Sequence, residues 1–249
     1  MTQAPAQTLL MLPGWGMGPD CWGAFGAALE SRYRVIRTSL PGHGAVPESS
    51  TWSLASEAER LLTLAPGASW LAWSLGALVA LTAAARAPDR IPRLVLLGAT
   101  PRFQAAGDWP QGMAPDAFQA FRTDCRRDPE KTLQRFHGLQ VKGSEQARPT
   151  LAALRQGQLP GASVSVLDRG LELLAVSDLR DALGTIETPC LWLSGERDAV
   201  TPAGAAMAAS PAMPRSRVSC VPGAGHAPFL SHPDETLTRV LDFLDEPQS

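Results

Sequence analysis

The sequence predicts an α/β fold in which a mostly parallel sheet carries helices on both faces and a helical segment interrupts the sheet. Short apolar runs typical of strands alternate with amphipathic runs typical of helices in the first hundred residues, and again after about residue 185. Such alternation gives parallel strands that are joined by right-handed crossovers. Between about residues 115 and 175 the pattern is helical, and no strand is evident.

We divide the chain into a first part of the core at residues 1–110, a helical cap insertion at 111–184 and a second part of the core at 185–249. A chain of 249 residues forms one large domain that buries about 70–75% of its unfolded surface. A core of this size is stable without disulfide bonds or a structural metal ion. The four cysteines lie too far apart in the sequence for a zinc motif. We expect no metal and no organic cofactor.

Four strands and three helices are predicted before residue 100. The strands are the runs Thr8–Leu12, Arg34–Ser39, Ser69–Trp73 and Arg93–Leu97. The helices are Cys21–Ser31, Ser53–Leu64 and Leu75–Arg86, in which apolar residues recur at the spacing of one helix face. A proline–glycine pair ends each of the first two strands.

The insertion is predicted to contain several helices. Asp128 is a suitable N-cap for a helix that begins at Pro129, because proline is tolerated in the first turn. Another helix opens near Ser144 and ends at Gly157, and an apolar stripe over 164–174 predicts a further one. The last part returns to alternation, with strands at Cys190–Ser194 and Arg217–Val221 and helices at Ala203–Ala209 and Pro233–Leu244.

Ser74 lies where the third predicted strand meets the following helix, in the segment Ala72-Trp73-Ser74-Leu75-Gly76. A serine in a tight strand-to-helix turn projects its hydroxyl above the sheet edge, and small neighbours are needed in so crowded a turn. Ala72 and Gly76 are small, although the usual pattern has glycine at both positions. The alternative is that Ser74 is an ordinary helix N-cap.

A serine nucleophile needs a histidine base and an acid that orients the histidine. In a hydrolase with such a serine turn, the acid follows the serine in the chain and the histidine follows the acid. We choose His226, which lies in a glycine-rich loop after the last strand, and Asp198, which follows the strand Cys190–Ser194. Asp178 is a weaker candidate for the acid because no strand positions it. The other histidines after Ser74 are assigned elsewhere: His232 to a helix entry and His137 to the insertion.

Two backbone N–H groups are candidates to stabilise an oxyanion. One belongs to Leu75, directly after the nucleophile, and the other to Trp15, in the loop after the first strand. The glycines on both sides of Trp15 let the backbone approach a substrate closely. The Trp15 side chain also suits a packing role, and the two roles are compatible.

These segments resemble the α/β-hydrolase family across nearly the whole chain. More narrowly, the chain resembles the esterases that act on pimeloyl-[acyl-carrier protein] methyl ester in biotin synthesis. The matching segments are Leu12–Gly16, Leu40–Gly44, Trp73–Gly76, Arg135–Gln140 and the stretch 225–233. The chain departs from the family pattern at Pro13, where histidine is usual, and at Ala72 and Ala77, where glycine is usual; the hairpin that often begins this fold is reduced or missing.

The resemblance implies an acyl substrate bound near the triad and within the insertion. It implies substrate contacts from the site residues Trp15, Ser74, Leu75 and His226 and from the insertion residues Phe136, His137, Gly138, Leu139 and Gln140. For Phe136 and Leu139, packing in a helix core is an equally good interpretation. The resemblance assigns His43 a structural role.

The insertion is more basic than the rest of the chain. Residues 122–155 contain eight basic and four acidic residues, whereas the whole chain has a formal net charge of −2. A basic cap would attract an acidic acyl carrier protein, with Lys131, Arg135 and Arg148 as candidate docking residues. The alternative is an ordinary solvated helix face.

We therefore predict a serine carboxylesterase that hydrolyses the methyl ester of a medium-chain acyl group, presented on acyl carrier protein. The alternatives are a general short-chain carboxylesterase, a C–C bond hydrolase with the same triad, and a non-catalytic ligand-binding protein. The near-neutral charge argues against a nucleic-acid partner. No apolar stretch is long enough to span a membrane, and Met1–Gln7 lacks the basic residues of a signal peptide. We expect a cytoplasmic monomer.

Overall fold

A computed structural model describes residues 7–49, 52–159 and 161–247. Six strands form one sheet: β1 (Thr8–Leu12), β2 (Arg34–Arg37), β3 (Ser69–Trp73), β4 (Leu94–Leu97), β5 (Cys190–Gly195) and β6 (Ser216–Val221). Their order is β2-β1-β3-β4-β5-β6, and every neighbouring pair is parallel. The predicted α/β class is confirmed. The first six residues lie outside the described part, so a hairpin there is untested.

Within the described residues, ten α-helices connect and cover the strands. Those of the core are α1 (Gly23–Glu30), α2 (Leu54–Leu64), α3 (Leu75–Arg86), α8 (Ala203–Ala209), α9 (Pro228–Ser231) and α10 (Pro233–Leu244). The other four follow β4 and precede β5: α4 (Pro115–Arg127), α5 (Pro129–Gln140), α6 (Ala147–Gly157) and α7 (Val164–Val176). We call these four the helical segment. It corresponds to the insertion that the sequence predicts.

Alternate residues of each central strand face opposite sides of the sheet. In β1, Leu10 and Leu12 belong to the apolar cluster that includes α2 and α3, whereas Leu9 and Met11 belong to the cluster that includes α1 and α10. All four side chains are buried. A strand that is apolar on both sides is typical of a parallel sheet with helices on both faces.

The boundaries of several helices differ from the predicted ones by a few residues. The second helix of the helical segment begins as predicted, since the Asp128 side chain accepts a hydrogen bond of 3.1 Å from the Lys131 backbone N–H. The next helix begins at Ala147 rather than near Ser144, with Pro149 in its first turn. Proline is tolerated there because the first N–H groups of a helix have no acceptor within it.

Ion pairs hold the helical segment together and fix it to the core. Asp168 on α7 receives hydrogen bonds of 2.7–3.2 Å from Arg122 and Arg126 on α4. Asp178 follows α7 and pairs with Arg102, which lies in the connection between β4 and α4. It also pairs with Arg180. Asp178 therefore joins the two connections through which the helical segment leaves and re-enters the core.

Candidate active site

Ser74 occupies a strained turn between β3 and α3. Its φ is 56° and its ψ is −119°, and no other non-glycine residue in the described part of the chain has a positive φ. A conformation of this kind costs roughly 1–3 kcal/mol and persists only where the surroundings enforce it. A Cβ atom at Gly76 would lie 2.6 Å from the Pro13 carbonyl oxygen, so only glycine fits there without displacement. The turn thus holds the Ser74 hydroxyl at the carboxyl edge of the sheet.

His226 lies beside the Ser74 hydroxyl, in the loop between β6 and α9. Its Nε2 is 3.0 Å from Ser74 Oγ. Its backbone is held on both sides: the N–H donates to the Gln140 carbonyl at 2.9 Å, and the carbonyl accepts from Trp73 Nε1 at 2.9 Å. Because the backbone is anchored to the helical segment and to β3, the imidazole keeps its position over the serine.

Asp198 lies on the other side of the imidazole, in the loop after β5. Its Oδ2 is 2.8 Å from His226 Nδ1, and both side chains are fully buried. Its Oδ1 accepts N–H bonds from Val200 and Thr201 at 2.8 and 2.9 Å. Because the carboxylate is an acceptor, Nδ1 carries the ring hydrogen and Nε2 is left to accept the proton of the Ser74 hydroxyl. The structure therefore brings the three predicted catalytic residues together in one hydrogen-bonded row.

The other sequence candidates for the acid and base lie elsewhere. Asp178 is bound by Arg102 and Arg180, whose guanidinium groups hold its pKa well below the usual range. His232 bonds to the Ser231 hydroxyl at the start of α10. His137 is fully buried on α5, and burial together with the charge of Arg155 lowers its pKa to about 4.

The two predicted oxyanion donors have no acceptor. Among the described residues, neither the Trp15 nor the Leu75 backbone N–H donates a hydrogen bond. His43 supports the loop that carries Trp15, since its Nε2 accepts from the Gly16 N–H at 3.2 Å and its Nδ1 donates to the Pro41 carbonyl at 3.0 Å. Burial lowers the pKa of His43, which keeps the ring neutral as this arrangement requires.

The Trp15 side chain connects the same loop to the helical segment. Its Nε1 donates to the Leu167 carbonyl on α7 at 2.8 Å. Its ring makes edge contacts with Phe121 and Phe136, at centroid distances of 5.6 and 5.3 Å. Packing and a backbone oxyanion role are thus compatible in Trp15, as the sequence suggested.

A narrow apolar cavity adjoins the Ser74 hydroxyl, between the sheet edge and the helical segment. Apart from Ser74 it is lined by Trp15, Phe103, Met113, Phe118, Phe121, Phe136, Leu171 and Leu174. None of these side chains is charged, so the cavity suits an uncharged hydrocarbon chain and disfavours a carboxylate.

Of the segment 136–140, only Phe136 lines this cavity. The side chains of successive helical residues point about 100° apart, so the residues that follow Phe136 face in other directions. His137 and the Gln140 side chain are buried, Gly138 is exposed, and Leu139 packs partly against the core. Gln140 nevertheless meets the site through its backbone, because its carbonyl accepts the His226 N–H. Residues 137–140 do not line this cavity, and their predicted substrate contacts stay a prediction.

The candidate docking residues Lys131, Arg135 and Arg148 are all exposed, on α5 and α6. Arg135 pairs with Asp124 at 2.7 Å, with its side chain 63% exposed. Other basic residues of the helical segment are already engaged, since Arg122 and Arg126 both bind Asp168. The surface available to an acidic partner is therefore smaller than the charge count of the sequence suggests.

Two of the groups that sequence reasoning missed contact the triad closely. One is the Gln140 carbonyl, for which no sequence pattern gives a signal. The other is the Thr201 hydroxyl, which lies 2.9 Å from Asp198 Oδ2. A serine or threonine close after an aspartate commonly forms local hydrogen bonds, so the spacing of Thr201 from Asp198 was a usable signal.

Neither a metal cluster nor a membrane-spanning helix is found among residues 7–49, 52–159 and 161–247. No group of three or more histidine, cysteine, aspartate or glutamate side chains there is arranged to hold a metal ion. No helix within those residues is long and apolar enough to cross a membrane.

Comparison with known proteins places this geometry in a family. Residues 9–239 match the model of the alpha/beta hydrolase family. The chain is 40% identical to the pimeloyl-[acyl-carrier protein] methyl ester esterase of Nitrosomonas europaea. The match extends over 230 residues, which is 91% of this chain and 91% of the relative. It is 39% identical to the esterase of the same name from Photobacterium profundum, over 98% of this chain and 96% of the relative.

Solved structures show the same fold. An esterase from Exiguobacterium antarcticum superimposes with a TM-score of 0.88 at 23% sequence identity, covering 98% of this chain and 94% of that one. The family match, the relatives and the fold agree with the resemblance seen in the sequence. The chain belongs to the alpha/beta hydrolase family.

Proposed function

We propose that this chain is a serine carboxylesterase that hydrolyses the methyl ester of a pimeloyl group carried on acyl carrier protein. The observation that supports this most is the row Ser74–His226–Asp198, with separations of 3.0 and 2.8 Å, beside an apolar cavity. The predicted class, a carboxylic ester hydrolase, is confirmed by the family and by relatives near 40% identity over most of the chain.

The reaction begins when Ser74 Oγ attacks the ester carbonyl carbon and His226 Nε2 takes the hydroxyl proton. The carbonyl oxygen becomes an oxyanion, which the backbone N–H groups of Trp15 and Leu75 stabilise. Asp198 stabilises the imidazolium that forms. When the tetrahedral intermediate collapses, the C–O bond to the methoxy group breaks and His226 Nε2 gives its proton to that oxygen, releasing methanol.

The second half of the reaction regenerates the enzyme. His226 takes a proton from water, whose oxygen attacks the acyl carbon bound to Ser74. Collapse of this second intermediate breaks the bond to Ser74 Oγ, which recovers the proton from His226. The product acid ionises, and the apolar cavity favours its departure because it offers a carboxylate no partner.

The carrier-bound form of the substrate is supported by the basic surface of the helical segment. Lys131, Arg135 and Arg148 are exposed on α5 and α6, and α5 also provides Phe136 to the cavity. An acidic carrier bound at this surface would present its acyl chain to the side of the cavity that α5 forms. We also propose that the enzyme acts as a cytoplasmic monomer; its four cysteines are free thiols, which suits a reducing compartment.

Charge reversal tests the carrier surface separately from the chemistry. Arg135→Glu combined with Arg148→Glu should raise the KM for methyl-pimeloyl carrier protein by at least about tenfold at low salt, because complementary charges steer and hold such complexes. The kcat/KM for a small methyl ester should change by less than about twofold. Reversal of Arg217, an exposed arginine on β6, is the matched control. An equal effect of the double variant on both substrates would contradict carrier docking at this surface.

A further inference from the structure

The hydroxyl of Thr201 lies between the two buried partners of the triad. Its Oγ is 2.9 Å from Asp198 Oδ2 and 3.3 Å from His226 Nδ1. We propose that Thr201 is a positioning residue, which aims Asp198 at His226 and so keeps His226 Nε2 in place to take the proton of the Ser74 hydroxyl. This inference rests on the proposed triad and adds a fourth side chain to it.

The hydrogens of this cluster can be assigned one by one. Asp198 Oδ1 is occupied by the N–H groups of Val200 and Thr201. Asp198 Oδ2 accepts the His226 Nδ1–H at 2.8 Å. Since Nδ1 already carries a hydrogen, it cannot also accept one, so the single hydroxyl hydrogen of Thr201 goes to Asp198 Oδ2. The Thr201 oxygen then faces the Nδ1–H as a second, longer acceptor.

Nothing replaces this hydroxyl if it is removed. The side chains of Asp198 and His226 have no exposed surface, and Thr201 is only 3% exposed. In such a site a lost donor leaves the carboxylate oxygen with one partner fewer, because solvent cannot reach it. The two N–H bonds to Oδ1 still restrain the carboxylate, so removal should loosen the geometry rather than abolish it.

The consequence for catalysis follows from these bonds. Without the Thr201 hydroxyl, Asp198 Oδ2 bonds only to His226, so the carboxylate is held less firmly in place. His226 Nε2 is then less well placed beside Ser74 Oγ, which should lower kcat. Thr201 does not line the apolar cavity, so KM should change little.

Two substitutions separate the hydroxyl from the shape of the side chain. Thr201→Val keeps the shape and removes the hydroxyl, whereas Thr201→Ser keeps the hydroxyl and removes a methyl group. For a small aryl ester we expect Thr201→Val to lower kcat about tenfold, with KM within about twofold. Thr201→Ser should keep kcat within about threefold.

Controls distinguish this inference from the triad itself. The concentration of active sites is titrated with a fluorophosphonate that reacts with serine nucleophiles, so that a misfolded fraction does not count as lost kcat. Ser74→Ala is measured beside the variants: if it retained turnover, the triad would fail. If Ser74→Ala is inactive while Thr201→Val has the kcat of the wild type, Thr201 has no positioning role. Equal losses of kcat in Thr201→Val and Thr201→Ser would assign the effect to packing at this position rather than to the hydroxyl and would also overturn the proposal.

Discussion

A substitution at Gly98 can move the catalytic histidine without changing a residue of the triad. It follows β4 and has a φ of +48°, and a Cβ atom there would lie 2.9 Å from the His226 carbonyl oxygen and 3.0 Å from His226 Nδ1. Comfortable contacts of this kind are about 3.5 Å. Gly98→Ala should therefore displace either the imidazole or the loop after β4 by about 0.5 Å.

The size of the effect follows from the bond between His226 and Ser74. A shift of about 0.5 Å stretches the Nε2–Oγ distance of 3.0 Å towards the limit of a hydrogen bond. Because a misplacement of 1 Å costs about a hundredfold in rate, half of that should lower kcat about tenfold. The positive φ adds about 1–2 kcal/mol of destabilisation for any residue with a Cβ atom.

Gly67→Ala is the matched control for Gly98→Ala. Gly67 has a φ of +69° in the turn between α2 and β3, and an added Cβ atom would meet no atom within 4 Å. Both variants carry the cost of the positive φ, but only Gly98→Ala contacts His226. The assay is steady-state hydrolysis of a small ester together with thermal unfolding. Equal kcat values in the two variants, at similar losses of stability, would refute the argument that Gly98 leaves room for the histidine.

Two further predictions concern stability. Among the residues that the structure describes, no group hydrogen-bonds to either ring nitrogen of the buried His137, and burial lowers its pKa to about 4. The free energy of unfolding that the neutral ring contributes is therefore present above pH 6.5 and is lost as the pH falls from 6.5 to about 4. His137→Leu should therefore unfold in urea near the wild-type midpoint at pH 7 but be about 2 kcal/mol more stable than the wild type at pH 5; parallel curves at both pH values would contradict this. Asp178→Asn removes a carboxylate bound by Arg102 and Arg180 that is about one-third exposed, and after screening it should cost about 1 kcal/mol, or 2–4 °C in Tm. Because the pKa of Asp178 is lowered in the folded state, this difference is full above about pH 4 and should shrink below it, whereas a constant difference at all pH values would argue against the ion pairs.

The alternation of strands and helices was enough to predict the sheet, whereas the choice of Asp198 and His226 also relied on the serine, acid, histidine order of α/β-hydrolases. The apolar runs of β1 and β3 coincide with the predicted ranges, and the carboxyl ends of parallel strands meet at one edge. That rule predicts that Ser74, Asp198 and His226 lie near one another. The family match confirms the predicted fold.

What the sequence could not predict depends on contacts between distant segments. The bond from the His226 N–H to the Gln140 carbonyl joins residues 86 positions apart, and a backbone carbonyl has no side-chain signature. Charge counting likewise overstated the basic surface, because Asp168 lies outside the stretch that was counted and engages both Arg122 and Arg126. The face that each of residues 137–140 presents depends on how α5 is rotated, and periodicity alone does not determine this.

Turnover of methyl-pimeloyl carrier protein by the wild type and by Ser74→Ala, followed through methanol release, tests the central claim most directly. We expect the wild type to release one methanol per acyl group and Ser74→Ala to be slower by about 10⁴-fold or more, since removing the nucleophile of a serine triad leaves only binding and oxyanion stabilisation. The wild type should also prefer this substrate to small methyl esters. Turnover that survives in Ser74→Ala would contradict the account.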